Sequence, residues 1–110
     1  MRYVEASLGV STADAEQVAL RFENGDLHVS FVDWKAQPRS LTFREVLAHR
    51  WQELDDQVPR DDTTFEAVDS PWLARQAELQ GVSKEGYAHY VLCFNACGVL
   101  DVLARRLPAG

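Results

Sequence analysis

The sequence predicts an α+β domain spanning residues 1–110. Its antiparallel sheet is built from two β-hairpins, about 17–34 and 87–105, plus an N-terminal strand, and it packs against two helices, about 43–54 and 70–80. Three observations carry this reading. Asn24-Gly25 sits between two alternating apolar runs, and both residues tolerate the positive φ that a two-residue hairpin turn demands. Ser70-Pro71 and Gly81 bracket a helix-length segment as N-cap, first-turn proline and left-handed stop. Near the C-terminus, two strand-like runs flank Ala96-Cys97-Gly98, a three-residue loop that suits a type I turn plus bulge.

Residues 2–8 alternate, with Val4, Ala6 and Leu8 on one face, and form the N-terminal strand. In the first hairpin, pairing across Asn24-Gly25 sets Phe22 opposite Leu27, Leu20 opposite Val29 and Val18 opposite Phe31, an apolar face. A slip of one residue would set these against polar groups, which fixes the register. Pro38 closes this region, and Ser40-Leu41-Thr42 adds a short extended piece. Thr42-Phe43-Arg44-Glu45 reads as a capping box, and Phe43, Val46, Leu47, Trp51 and Leu54 follow at helical spacing. Arg50 is the one charge on that stripe, and it either snorkels to solvent or pairs with Glu53 or Asp101. Thr63–Val68 suits a short strand, and Trp72, Leu73, Ala77 and Leu79 supply the buried side of the second helix.

In the second hairpin, placing the turn at 96–98 pairs Phe94 with Leu100, Leu92 with Val102 and Tyr90 with Ala104. The opposite face is mixed, with Cys93 opposite Asp101, Val91 opposite Leu103 and His89 opposite Arg105. Helices are expected over the apolar faces of a shared sheet. The mixed faces would be covered in part by the N-terminal strand or a second copy of the chain, the latter burying Trp34 and Val32 as a homodimer.

Charge narrows the function classes. Eleven basic and seventeen acidic residues give a net charge of −6, the opposite of the basic stripe that nucleic-acid binding requires. Nine arginines against two lysines (Lys35, Lys84) suggest a GC-rich bacterial genome. Residues 53–69 hold Glu53, Asp55, Asp56, Asp61, Asp62, Glu66 and Asp69 against Arg60 alone, which is −7 + 1 = −6. That stretch therefore accounts for the whole formal charge. It is either a solvated loop or an electrostatic docking patch for a basic partner. The start of the chain has no signal-peptide pattern and no run approaches 18 apolar residues, so the expectation is a cytoplasmic protein without membrane partners.

His89, Cys93 and Asp101 invite a nucleophilic reading. However, His89 and Cys93 are four residues apart on a strand, about 13 Å at roughly 3.3 Å per residue, beyond hydrogen-bond reach. This leaves a ligand face around His89, Cys93 and Asp101 as the alternative to a binding surface. The bland reading is a half-buried Cys93 beside an exposed His89. No CxxC, HxxxH or HxH spacing supports a metal, and no cofactor motif is present. Trp34, Trp51 and Trp72 are expected mainly in the core, with Trp34 the one nearest an interface.

The stretch His89-Tyr90-Val91-Leu92-Cys93-Phe94-Asn95-Ala96-Cys97-Gly98-Val99-Leu100-Asp101-Val102-Leu103-Ala104, preceded by Asp69-Ser70-Pro71-Trp72-Leu73, resembles a pattern in small bacterial proteins of unassigned function. There a His-Tyr strand, an Asn-x-x-Gly turn and a Leu-x-Val strand follow a Ser-initiated helix, and Phe43, Arg50 and Glu53 match more loosely. Some similar-looking acidic proteins are immunity proteins, which bind and neutralise a partner toxin. The resemblance implies the fold and a protein-binding role, and it brings no catalytic residues. The expectation is a non-enzymatic module binding a basic protein through Asp55, Asp56, Asp61, Asp62 and Glu66, with Trp34 beside them.

Overall fold

Asn24 and Gly25 take positive φ (53° and 82°) and turn β2 (Glu16–Glu23) into β3 (Asp26–Val32), as their chemistry requires. The computed structural model describes residues 1–52, 64–94 and 98–107. Phe22 pairs with Leu27 and Leu20 with Val29, as predicted. The expected Val18–Phe31 pair does not form. A bulge between Glu16 and Ala19 adds a residue to β2, with Gln17 at φ 53°, and Glu16 then meets Val32. β4 (Pro38–Phe43) completes a three-stranded antiparallel sheet in the order β2-β3-β4.

The second sheet has five strands in the order β1-β6-β7-β8-β5, all antiparallel. They are β1 (Arg2–Glu5), β5 (Ala48–Gln52), β6 (Thr64–Val68), β7 (Tyr87–Phe94) and β8 (Gly98–Arg105). β7 and β8 are central, and every residue of both except Arg105 is buried. Among the described residues there is one α-helix, α1 (Pro71–Gln80). It is capped as read: the Ser70 hydroxyl accepts the Leu73 N–H, Pro71 opens the helix, and left-handed Gly81 lets Val82 N–H reach the Ala77 carbonyl. Leu79, assigned to the buried side, is 68% exposed.

Among the described residues of the helix expected over 43–54, those up to Gln52, no helix is formed. Glu45 has φ 48°, which breaks helical continuity, and Asp26 holds the bend by accepting from Arg44 Nη1 (2.9 Å) and Glu45 N–H (3.1 Å). The chain crosses here between the sheets. Phe43 ends β4 fully buried, Leu47 N–H reaches the Leu103 carbonyl, and Ala48–Gln52 pairs with β8. The stripe that read as helical serves two sheets, and pairing the otherwise bare edge of β8 outweighs local propensity.

The layering also differs from expectation. The apolar faces of the two sheets pack on each other rather than under helices. Leu27, Val29, Phe31 and Phe43 meet Tyr90, Leu92, Phe94, Leu100 and Val102 in one cluster, with Phe31 edge-on to Phe94 at 5.3 Å between ring centres. Burying each such side chain contributes about 1.5–3 kcal/mol. α1 lies on the other, mixed face of the five-stranded sheet, where Leu73 packs with Tyr87 and Leu103.

In the β7–β8 hairpin Gly98 is a strand residue opposite Phe94 rather than part of the loop. Every predicted pair is thereby displaced by two. Leu92, not Phe94, meets Leu100; Val91, not Cys93, meets Asp101; and Leu103, not Arg105, meets His89. A two-residue slip preserves which face each side chain occupies, so the inside–outside pattern survives the error. Gly98, at φ 152°, is required where it stands: a Cβ there would lie 2.7 Å from Trp51 Cζ2 and 2.8 Å from the Gln52 carbonyl oxygen.

Candidate functional site

The mixed face of the five-stranded sheet carries a buried polar array between the sheet and α1. β6 ends at Val68, Asp69 reverses the chain at φ 58°, and Ser70 caps the helix. The Ser70 hydroxyl lies 2.7 Å from His89 Nδ1, and His89 Nε2 lies 2.7 Å from Asp101 Oδ1. Asp101 Oδ2 accepts from Gln52 Nε2 (2.8 Å) and, at longer range, from Arg50 Nε (3.4 Å). Ser70, His89 and Asp101 are 6%, 2% and 2% exposed.

The proton positions follow from donor and acceptor chemistry. A carboxylate only accepts, so Nε2 carries the imidazole proton. In the neutral imidazole Nδ1 then presents its lone pair to the Ser70 O–H, while the Ser70 oxygen accepts the Leu73 N–H at 3.2 Å. Trp72 sets its ring edge-on to His89 at 5.3 Å, and the Arg50 guanidinium sits 4.5 Å above the Trp72 ring. Four elements, β5, β7, β8 and α1, are thereby tied together.

His89 and Asp101 were singled out from the sequence, and the structure brings them together. Cys93 stays apart: it is buried with Phe65, Ala67, Val91 and Val99. The sequence reading erred in leaving His89 exposed and Cys93 half-buried, because α1 and the strands beside them cover that face. Arg50 pairs with Asp101, one of its two anticipated partners. Ser70 was missed as a member of the array. Its position before Pro71 signalled only a helix cap.

Beside Ser70 runs a cleft of about 200 Å³, lined by Leu73 and Tyr87 and by the charged Glu66, Lys84 and Arg106. Arg106 binds Glu66 through both terminal guanidinium nitrogens (2.8 and 3.1 Å), a bidentate ion pair within the chain. Among the described residues, no group of three or more His, Cys, Asp or Glu could hold a metal ion, and no helix is long and apolar enough to cross a membrane.

Of the predicted partner-binding residues, Asp55, Asp56, Asp61 and Asp62 lie outside the described residues, as does Cys97. The ends that anchor their segment are described. Gln52 pairs with Val99 and Thr64 with Leu92, so both anchors sit at the end of the sheet where Phe94 and Gly98 close the β7–β8 hairpin. They are three strands apart, about 14 Å at roughly 4.8 Å per strand. Trp51 lies at the same end, 40% exposed, stacked on Phe94 at 5.8 Å. Trp34 is 57% exposed on the β3–β4 turn, three residues beyond Phe31, which also touches Phe94.

That turn is rigidly built. Asp33 Oδ1 accepts from Lys35 N–H and Gln37 N–H, and Oδ2 accepts from Arg39 Nε, all at 2.9 Å. Ser7 and Val10 continue the surface from Thr64 to Trp34 by lining two adjoining hollows. Trp34 and Trp51 are therefore not core residues. The sheet–sheet interior is filled by phenylalanine, Tyr90 and aliphatic side chains, and both indoles fall at its rim.

No protein-family model, curated protein or solved structure matches the chain.

Proposed function

We propose that this chain is a protein-binding module, immunity-like in kind, that engages a basic partner through one end of its β-sandwich. The observation that carries the reading is charge placement: residues 53–69 sum to −6 while the other residues sum to zero. Further support comes from the exposure of Trp34 and Trp51 at the end of the sheet where that segment is anchored at Gln52 and Thr64. Aromatic faces and carboxylates suit a surface rich in Arg and Lys, through cation–π contact and charge complementarity. The module acts in the cytoplasm, without cofactor, nucleic acid or membrane.

The test is capture of proteins from a cell lysate on immobilised chain at low and high salt. Retained proteins are expected to be basic, to elute as salt rises, and to be lost when Asp55, Asp56, Asp61 and Asp62 are all changed to Asn or when Trp34→Ala is introduced. Undiminished capture by the quadruple variant would sink the reading. A homodimer through Trp34 and Val32 is a competing use of this surface, and a monomer by light scattering at high concentration disposes of it.

A second reading, a ligand or enzyme site around His89, Cys93 and Asp101, is favoured by one observation: the 2.7 Å contacts that join His89 to Asp101 and to Ser70.

A further inference from the structure

We propose that Ser70 is a nucleophile toward short acyl esters, with His89 as its base and Asp101 as the positioning residue for His89. The inference rests on the second reading above and is independent of partner binding at the other surface. It replaces Cys93, which lies in a separate apolar cluster, with a hydroxyl that already touches the imidazole.

A serine nucleophile needs a base within hydrogen-bond reach and a third group that orients the base. Ser70, His89 and Asp101 meet both requirements at 2.7 Å. The imidazole is used in reverse, with Nδ1 toward the serine and Nε2 toward the carboxylate. A triad is defined by roles rather than by sequence position, and either nitrogen can serve. The hydroxyl stands on a strand–turn–helix junction, with Asp69 at φ 58° just before it. Residue Ser70, 6% exposed, is among those lining the cleft of about 200 Å³. At roughly 30 Å³ per water-sized group, that space admits an acetyl-sized acyl group and part of its leaving group. The Leu73 N–H donates to Oγ at 3.2 Å and fixes the hydroxyl at the start of α1.

The chemistry balances without any further reactant than water. Ser70 Oγ bonds to the acyl carbon as its proton passes to His89 Nδ1, and the carbonyl π pair moves onto oxygen. Return of that pair breaks the bond to the alkoxide, which takes the proton from His89. Water then gives a proton to His89 as its oxygen bonds to the acyl carbon. The Ser70–acyl bond breaks, Oγ recovers its proton and a carboxylic acid leaves. Asp101 accepts the Nε2–H throughout and steadies the imidazolium.

The experiment is to incubate the purified full chain with an alkyl fluorophosphonate, in which a serine displaces fluoride from phosphorus, and to map any adduct by mass spectrometry. One adduct per chain is expected, on the peptide containing Ser70, and none on Ser70→Ala. His89→Gln is expected to label at least about 100-fold more slowly, the lower end of what a general base contributes. p-Nitrophenyl acetate is expected to show acylation of the same residue. The role of Asp101 is read from ¹⁵N shifts of His89, which should report a protonated Nε2 in the native chain and lose that tautomer preference in Asp101→Asn. A folded native chain that stays unmodified, or is modified elsewhere, overturns the proposal without reference to any variant. Because Asp55, Asp56, Asp61 and Asp62 take no part, that outcome leaves the partner-binding reading to its own test.

Discussion

His89 and Asp101 are diagonal neighbours across the central β7–β8 pair, with Nε2 and Oδ1 2.7 Å apart and both residues 2% exposed. Two polar side chains are buried this deeply because each is satisfied: His89 by Ser70 and Asp101, Asp101 by His89, Gln52 and Arg50. Deleting the carboxylate strands the donors around it. Asp101→Ala is expected to cost about 3–5 kcal/mol, the range for breaking a buried charged pair, measured by urea denaturation. A loss below about 1 kcal/mol would mean that the array does not tie α1 to the sheet.

Gly98 faces the Trp51 indole and the Gln52 carbonyl, and both would lie under 3 Å from an added Cβ. Gly98→Ala is expected to destabilise by about 1–3 kcal/mol, a usual cost of a forced backbone geometry. Trp51 fluorescence should change as the ring is displaced from Phe94. Unaltered stability and emission would contradict the close packing of β5 over the hairpin end.

Acid should loosen the β3–β4 turn. The hydrogen bond from Arg39, with those from the Gln37 and Lys35 N–H groups, holds the Asp33 carboxyl below its ordinary value of 3.8. A depressed folded-state pKa contributes stability above the unfolded value, and that stability is lost as pH falls through the folded one. The Asp33 side-chain carbon followed by NMR should therefore titrate below pH 3.8, with exchange of the Lys35 and Gln37 amides rising over the same interval. In Asp33→Asn that acid-dependent step should vanish.

Alkali acts through Tyr90, a core residue whose hydroxyl oxygen accepts the Leu107 N–H at 2.8 Å. Burial raises its pKa above the ordinary 10.0, and the Leu107 hydrogen bond offsets part of the rise. A raised pKa means that stability is intact below about pH 10 and falls as pH climbs toward the folded-state value. Tyr90→Phe should lose about 0.5–1.5 kcal/mol at neutral pH with the hydrogen bond, yet show a flatter stability curve above pH 10. An equal alkaline slope in both proteins would assign the effect to other groups.

Much of the fold was legible because its signals are local. Asn24-Gly25 turns as its backbone freedom dictates, and Ser70, Pro71 and Gly81 delimit α1 by satisfying the orphan groups of its ends. Period-two alternation in 87–105 identified both faces of the central hairpin. The candidate site was only half legible. His89 and Asp101 were recognised as sharing a face, but a turn placed one residue late set Asp101 opposite Cys93, four residues from His89. The true register sets it opposite Val91, two residues away and within reach.

By itself, the sequence determined the Asn24-Gly25 turn, the caps of α1, the inside–outside alternation and the concentration of charge in residues 53–69, all properties of neighbouring residues. Only the tertiary structure decided that residues 48–52 join β8 as a strand, that sheet rather than helix covers the apolar faces, and that Ser70 completes the His89–Asp101 array. The physical reason is range. Alternation repeats every two residues and is blind to a two-residue slip, and an apolar stripe does not say which surface will bury it. Those choices are made by contacts between residues far apart in the chain, such as Ala48 with Leu103.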